Sequence, residues 1–154
     1  MTLTDAELTT RLLLAALLGG IIGFERELRH KSAGLRTNIL IAVGSAAFTL
    51  MSIEIADGQA DPGRVAAQIV TGIGFLGAGA IMRTDSGIQG LTTAATVWVN
   101  AAVGVAAGGG EYHLAVIATA VTIAVLLVLS PLEKILDRRD SQRAAQDGGG
   151  PTGA

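Results

Sequence analysis

Apolar positions in this chain fall in long runs, separated by short polar stretches that carry most of the charge. Five runs, at residues 8–25, 35–53, 64–82, 91–108 and 113–130, suit membrane-crossing helices, for which about 20 residues is typical. In the first, Arg11 leaves only residues 12–24 strictly apolar, so its guanidinium has to snorkel to an interface. The fifth is almost wholly aliphatic and is expected to face lipid. Pro131, a short amphipathic stub and Arg138-Arg139 follow it, completing a transmembrane domain over residues 1–139. Residues 140–154 are glycine-rich and polar, and read as a disordered tail.

The first four runs form two lookalike hairpins. One run ends in Phe24-Glu25-Arg26 and the next starts at Gly34-Leu35-Arg36-Thr37; 56 residues later, Arg83 and Gly90-Leu91-Thr92-Thr93 repeat the punctuation. Hairpins duplicated in the same direction imply a pseudo-symmetry axis along the membrane normal. The expected fold is therefore all-α: two similar helical hairpins plus a fifth transmembrane helix.

Polar residues inside these runs share faces. Gln89, Thr93, Thr96 and Asn100 recur at spacings of four, three and four, beside a stripe of Gly90, Ala94, Val97, Ala101, Gly104 and Gly108. Asn38, Ala42, Ser45, Thr49 and Ser52 repeat the idea in the second run, and Gln68 and Thr71 flank the glycines of the third. Thr71 and Asn100 each lie seven or eight residues from the outer boundary, near the bilayer centre at about 1.5 Å per residue. Gln68, Thr71, Thr96 and Asn100 are accordingly expected to share one buried polar pocket, serving either packing or an ion path. Trp98 is assigned to the core, and Tyr112 and His113 to anchoring at the outer boundary. The GxxxG pairs Gly19/Gly23 and Gly104/Gly108 suit either a homodimer or packing within one subunit. Gly72-Ile-Gly74-Phe-Leu-Gly77 spells GxGxxG but follows no strand, so a dinucleotide site is rejected.

Composition supports the membrane reading. Half of the 154 residues are hydrophobic, aromatics are only 3% and glycines number 21, a balance that suits close helix packing in lipid. Eleven basic and 13 acidic residues nearly cancel, so bulk charge points to no nucleic-acid partner. Their placement is more telling. Nine basic residues flank the first and third connections or follow the last run, while only Arg11 and Arg64 lie opposite. The positive-inside rule then puts the N-terminus outside and the C-terminus in the cytoplasm. The six acids on the outer side have no ligand-like spacing and read as a solvated surface. Without cysteine there is no disulfide or thiolate chemistry, and without a basic n-region the first run is expected to stay in the mature protein.

The strongest candidate chemistry sits on the cytoplasmic side. Both Gly-Leu-x-Thr motifs should begin helices there, each offering free N–H groups and a positive dipole end. Arg26, Arg36 and Arg83 lie near, with Glu25, Glu27 and Asp85 to compensate, and Thr37, Asn38, Thr92 and Thr93 occupy the helix starts. Such a cluster favours a phosphate, lipid headgroup or carboxylate. Glu25 and Asp85 could offer two oxygens to a divalent cation, but the arginines oppose it. The plainer alternative pairs Glu27 with Lys31, four residues on, and Glu25 with Arg36 or Arg29.

Three ordered motifs resemble the MgtC/SapB family of bacterial inner-membrane proteins. They are Gly23-Phe-Glu-Arg-Glu27 with Ala33-Gly-Leu-Arg-Thr37, the stretch from Arg64 to Ile81 containing Gln68-Ile-Val-Thr-Gly-Ile-Gly, and Gly90-Leu-Thr-Thr-Ala-Ala-Thr-Val-Trp98. The resemblance implies a five-helix inner-membrane protein linked to magnesium homeostasis, acting on a membrane partner such as the proton-driven ATP synthase. It leaves open a magnesium transporter, a bound Mg²⁺ or lipid, and a homodimer. Many relatives continue into a soluble ACT-like domain, which a tail over residues 140–154 would replace. Val99 and Thr92 depart from some relatives, which carry Cys and Asn there. No P-loop or phosphorylated-Asp motif is present, and His30 and His113 fall on opposite membrane faces, so an enzyme is not expected.

Overall fold

A computed structural model describes residues 3–55, 61, 63–85 and 87–147, with side chains described to residue 129. The described residues form five helices: α1 (Asp5–Leu28), α2 (Leu35–Ile55), α3 (Gly63–Gly79), α4 (Leu91–Gly109) and α5 (Tyr112–Asp147). Helices α1, α2, α4 and the Tyr112–Leu129 part of α5 are each long and apolar enough to cross a membrane. The protein is thus an all-α membrane protein. Helix α3, with 17 residues, is about 26 Å long, some 4 Å short of a hydrocarbon core of about 30 Å.

The helix ends follow from local chemistry. Thr4 and Glu7 form a capping box at the start of α1, which carries the helix three residues upstream of the apolar run. At its other end Lys31 N–H reaches the Arg26 carbonyl and His30 N–H that of Glu27. This is a Schellman stop with His30, at φ 53°, in the left-handed position. Helix α4 ends the same way, with Gly110 at φ 84° in that position.

Two elements differ from expectation. The third run leaves the helix at Gly79, its last turn tightening through Ala80 and Ile81 N–H bonds to the Gly77 and Ala78 carbonyls. Met82–Thr84 (β1) then pairs antiparallel with Gly87–Gln89 (β2). Gly87 and Gly90, both at positive φ, permit the reversals on either side of β2. Helix α5 continues through Pro131 to Asp147, into the stretch expected to be a disordered tail. Residues such as Leu, Glu, Lys, Arg, Ala and Gln sustain a helix on propensity, and one proline removes a single bond.

The main compact unit ends at Thr122, within α5, and a second unit begins at Ile123. In the first, α1 runs antiparallel to α2, with Gly19 facing Ala42 and Gly23 facing Leu35 and Asn38. Helix α4 runs parallel to α2, with Asn100 against Asn38, Gly104 against Ala42 and Gly108 against Ala46. Ile22, Ala42, Ala46, Val103 and Ala107 form the tight interior of this trio. Helix α3 rests on it through Ile73 and Gly77, its only buried residues, in a cluster with Ile41, Val97 and Ala101. Along α5, Ala115 and Thr119 are buried while Leu114, Val116, Ile117 and Val121 are exposed, as a lipid-facing segment requires.

Candidate functional site

The two Gly-Leu-x-Thr motifs do begin helices, α2 at Leu35 and α4 at Leu91, and parallel packing puts both starts at one end. They are staggered. The contacts pair residues 62 apart (Asn38 with Asn100, Ala42 with Gly104, Ala46 with Gly108), whereas the motifs repeat every 56. Six residues at about 1.5 Å each carry the start of α4 roughly 9 Å beyond that of α2.

The last turns of α1 hold a buried charge cluster at this end. Arg26 Nε donates to Glu25 Oε2 at 2.7 Å, and Arg29 Nε lies 2.5 Å from Glu25 Oε1. Burying such ions is costly unless each finds partners. Glu25 Oε1 meets that condition only through its ion pair with Arg29, and Arg26 Nη1 is buried without a hydrogen bond. Glu25 therefore pairs with Arg26 and Arg29, and Arg36 stays exposed. Glu27 does not pair with Lys31 among the described residues; it accepts the Leu35 N–H at 3.0 Å. A carboxylate there neutralises the positive end of α2, and any Cβ on Gly34 would collide with it.

Other members of the expected cluster are dispersed. Arg83 lies on β1 opposite Ile88, and Arg83, Asp85 and Thr92 are exposed. Thr93 is buried. Thr37 is exposed in the first turn of α2, one residue before the fully buried Asn38.

Asn38 is the hub of the helix trio. Its Nδ2 donates to the Ala33 and Gly34 carbonyls at 2.7 and 2.9 Å, fastening the incoming loop to α2. Its backbone carbonyl and Oδ1 both accept from Asn100 Nδ2, at 2.6 and 3.1 Å. Gly19 and Gly23 close the other side, where added Cβ atoms would lie 2.8 Å from the Asn38 carbonyl oxygen and 2.9 Å from Asn38 Cβ. Asn100 is the tenth of 19 residues in α4, hence at mid-helix as expected.

The expected midplane pocket does not assemble around it. Gln68 and Thr71 are exposed on α3, and the Thr71 hydroxyl bonds its own Ala67 carbonyl. Thr96 is buried, but its hydroxyl returns to the Thr92 carbonyl. The reason is the shallow seat of α3: only Ile73 and Gly77 are buried, and Gln68 borders an open groove beside α2 without reaching Asn100. Trp98 also departs from its assignment, being 51% exposed instead of core. A wide groove opens between α2 and α3, a cavity of about 600 Å³ with Arg36 and Thr37 at one end and Phe48 and Val65 at the other.

Sequence reasoning missed three roles. Arg11 does not simply snorkel: its Nη1 donates to the Gly108 carbonyl at 2.8 Å, placing a cation on the negative end of α4. Glu27 as a cap was foreshadowed by an acid shortly before a Gly-Leu helix start. Asn38 as a core residue had only its place on the small-residue face of α2 as a signal.

Comparison with known proteins points to one family. Residues 12–135 match the MgtC family. A protein named "Protein MgtC" from Brucella abortus (strain 2308) is 53% identical over 131 residues, covering 85% of this chain and 55% of its own length. "Putative magnesium transporter YhiD" of Escherichia coli (strain K12) is 46% identical over 134 residues, with 82% and 62% covered. "Protein MgtC" of Salmonella typhimurium (strain 14028s / SGSC 2262) is 50% identical over 118 residues, with 77% and 50% covered. The chain spans about half to three-fifths of the length of these relatives. No solved structure matches. The matched span reaches from the first turns of α1 well into α5 and takes in both Gly-Leu-x-Thr helix starts and the Asn38–Asn100 contact, and the chain belongs to the MgtC family of bacterial membrane proteins.

Proposed function

We propose that this protein acts in magnesium homeostasis as a regulator that binds a membrane partner, the proton-driven ATP synthase being the candidate, and that it conducts no solute itself. The observation carrying this reading is the state of Asn100. Its side chain is fully buried, and its amide donates only to Asn38. A conducting path needs polar groups that face water or exchange partners with an ion, whereas this mid-helix amide staples α2 to α4. Glycine contacts on its C-terminal side, at Gly104 and Gly108, leave no room for a file of ions along that half of the α2–α4 seam.

Recognition of the partner is assigned to the arginine-rich end, taken as cytoplasmic from the distribution of basic residues. Arg36 and Arg83 are exposed there on separate elements. Catalysis is not part of the proposal, since His30 and His113 sit at opposite ends of the parallel α2–α4 pair. The two GxxxG pairs are used against α2, so a homodimer would join through another face.

Reconstituted vesicles test the reading. Purified protein should raise neither magnesium nor proton flux above that of protein-free liposomes; flux that disappears in Asn100→Leu would establish transport instead. In inverted membrane vesicles the protein should lower ATP-driven proton pumping. Arg36→Ala should relieve that effect with insertion intact, and an Arg36→Ala variant that inhibits like wild type refutes the assigned role.

A further inference from the structure

The groove between α2 and α3 has a directional chemistry. One end carries Arg36 and Thr37 in the first turn of α2; the middle is walled mainly by Leu40, Ile41 and Leu76, with Ser45 and Gln68 its polar members. Two N–H groups of that turn are taken, Leu35 by Glu27 and Asn38 by the Gly34 carbonyl. Those of Arg36 and Thr37 have no partner among the described residues. Nor does Arg36 have an acidic partner there. At the far end the groove adjoins a second cavity lined by both Arg64 and Asp61, so its charge is balanced. A ligand that fits is amphiphilic, with an anionic head at Arg36 and an apolar chain running toward Phe48.

Length agrees with this. From Arg36 to Phe48 along α2 is roughly 18 Å, close to half of a hydrocarbon core of about 30 Å. The cavity of about 600 Å³ is within the range of small-molecule sites. Glycines create the room: added Cβ atoms on Gly44 and Gly72, both lining the groove, would meet nothing within 4 Å. We propose that this groove binds one acyl chain of an anionic phospholipid, with the phosphate held by the Arg36 guanidinium and the free N–H groups of the first turn of α2. An anionic headgroup pairs with guanidinium and a helix start through charge-assisted hydrogen bonds. Anionic lipid is also what a cytoplasmic leaflet offers to a cation at its surface. Lipid occupancy stands whether or not the protein regulates a partner.

Native mass spectrometry of the full chain in detergent, titrated with phosphatidylglycerol or phosphatidylcholine, tests the site. Wild type should retain a phosphatidylglycerol adduct with roughly tenfold preference over phosphatidylcholine. Gly72→Leu and Gly44→Leu fill the groove and should each lose the adduct, while Arg36→Gln should reduce phosphatidylglycerol binding to the phosphatidylcholine level. Adduct retained in both leucine variants overturns the proposal, as does an Arg36→Gln variant with unchanged preference. A leucine variant that converts a multimer to a monomer and keeps its lipid assigns the groove to a second copy of the chain, and also overturns it. Should the leucine variants lose helicity, wild type is labelled with a phosphatidylglycerol carrying a diazirine on its acyl chain. Crosslinks at Phe48 or Leu76 support the site, and crosslinks confined to α5 exclude it.

Discussion

Helices α3 and α4 both carry glycine in abundance, yet the glycines do opposite things. In α4, Gly104 and Gly108 lie so close to α2 that added Cβ atoms would meet the Ala42 and Ala46 carbonyls. In α3, the places where Gly72, Gly74 and Gly79 would carry a Cβ are open. The first set lets two backbones approach, so that packing and the Asn38–Asn100 bonds form over the same stretch. The second leaves a slender helix with two buried residues beside a wide groove. Glycine content therefore says that a close approach is allowed, and the facing helix decides whether it happens.

Substitutions sharpen the contrast. The largest effect is expected for Gly104→Leu, which drives a side chain into the α2 backbone; overpacking of this kind costs about 3 kcal/mol or more, read as loss of the thermal transition in detergent. Asn100→Leu comes next. Interhelical polar bonds in membranes average about 0.6 and reach about 1.7 kcal/mol; Asn100 Nδ2 donates twice while its Oδ1 is buried without a partner, so a loss of about 1 kcal/mol should appear in chemical unfolding. Arg11→Met removes the cation from the Gly108 carbonyl while keeping the stem, and should cost about 0.5–1 kcal/mol, least at high ionic strength. No larger, and opposite in sign, is Gly74→Ala on the open face of α3, expected to stabilise by about 0.5–1 kcal/mol. A Gly74→Ala loss as large as that of Gly104→Leu would erase the distinction between the two helices.

Much of the framework was legible along the chain. The apolar runs and the Gly-Leu-x-Thr starts located all five helices, because length and punctuation are local signals. The polar stripe of α4 was legible too, and Thr93, Thr96 and Asn100 are all buried. Its partner was not. A polar face needs some neighbour, and the sequence offered Gln68 and Thr71 as readily as Asn38. The β1–β2 hairpin escaped notice because two three-residue strands have no periodicity to detect.

The sequence alone determined that the chain is a bundle of membrane helices, where they begin, and that small and polar faces had to be covered. Only the tertiary structure decided which helix covers which face. The motif repeat of 56 residues describes ancestry of pattern, while the contact offset of 62 is chosen where glycine backbones nest against Ala42 and Ala46 and the two asparagines meet. That offset is a property of two surfaces fitting together, which no single stretch of chain encodes, and it places Asn38 in the core and leaves Arg36 on the outside at the mouth of the groove.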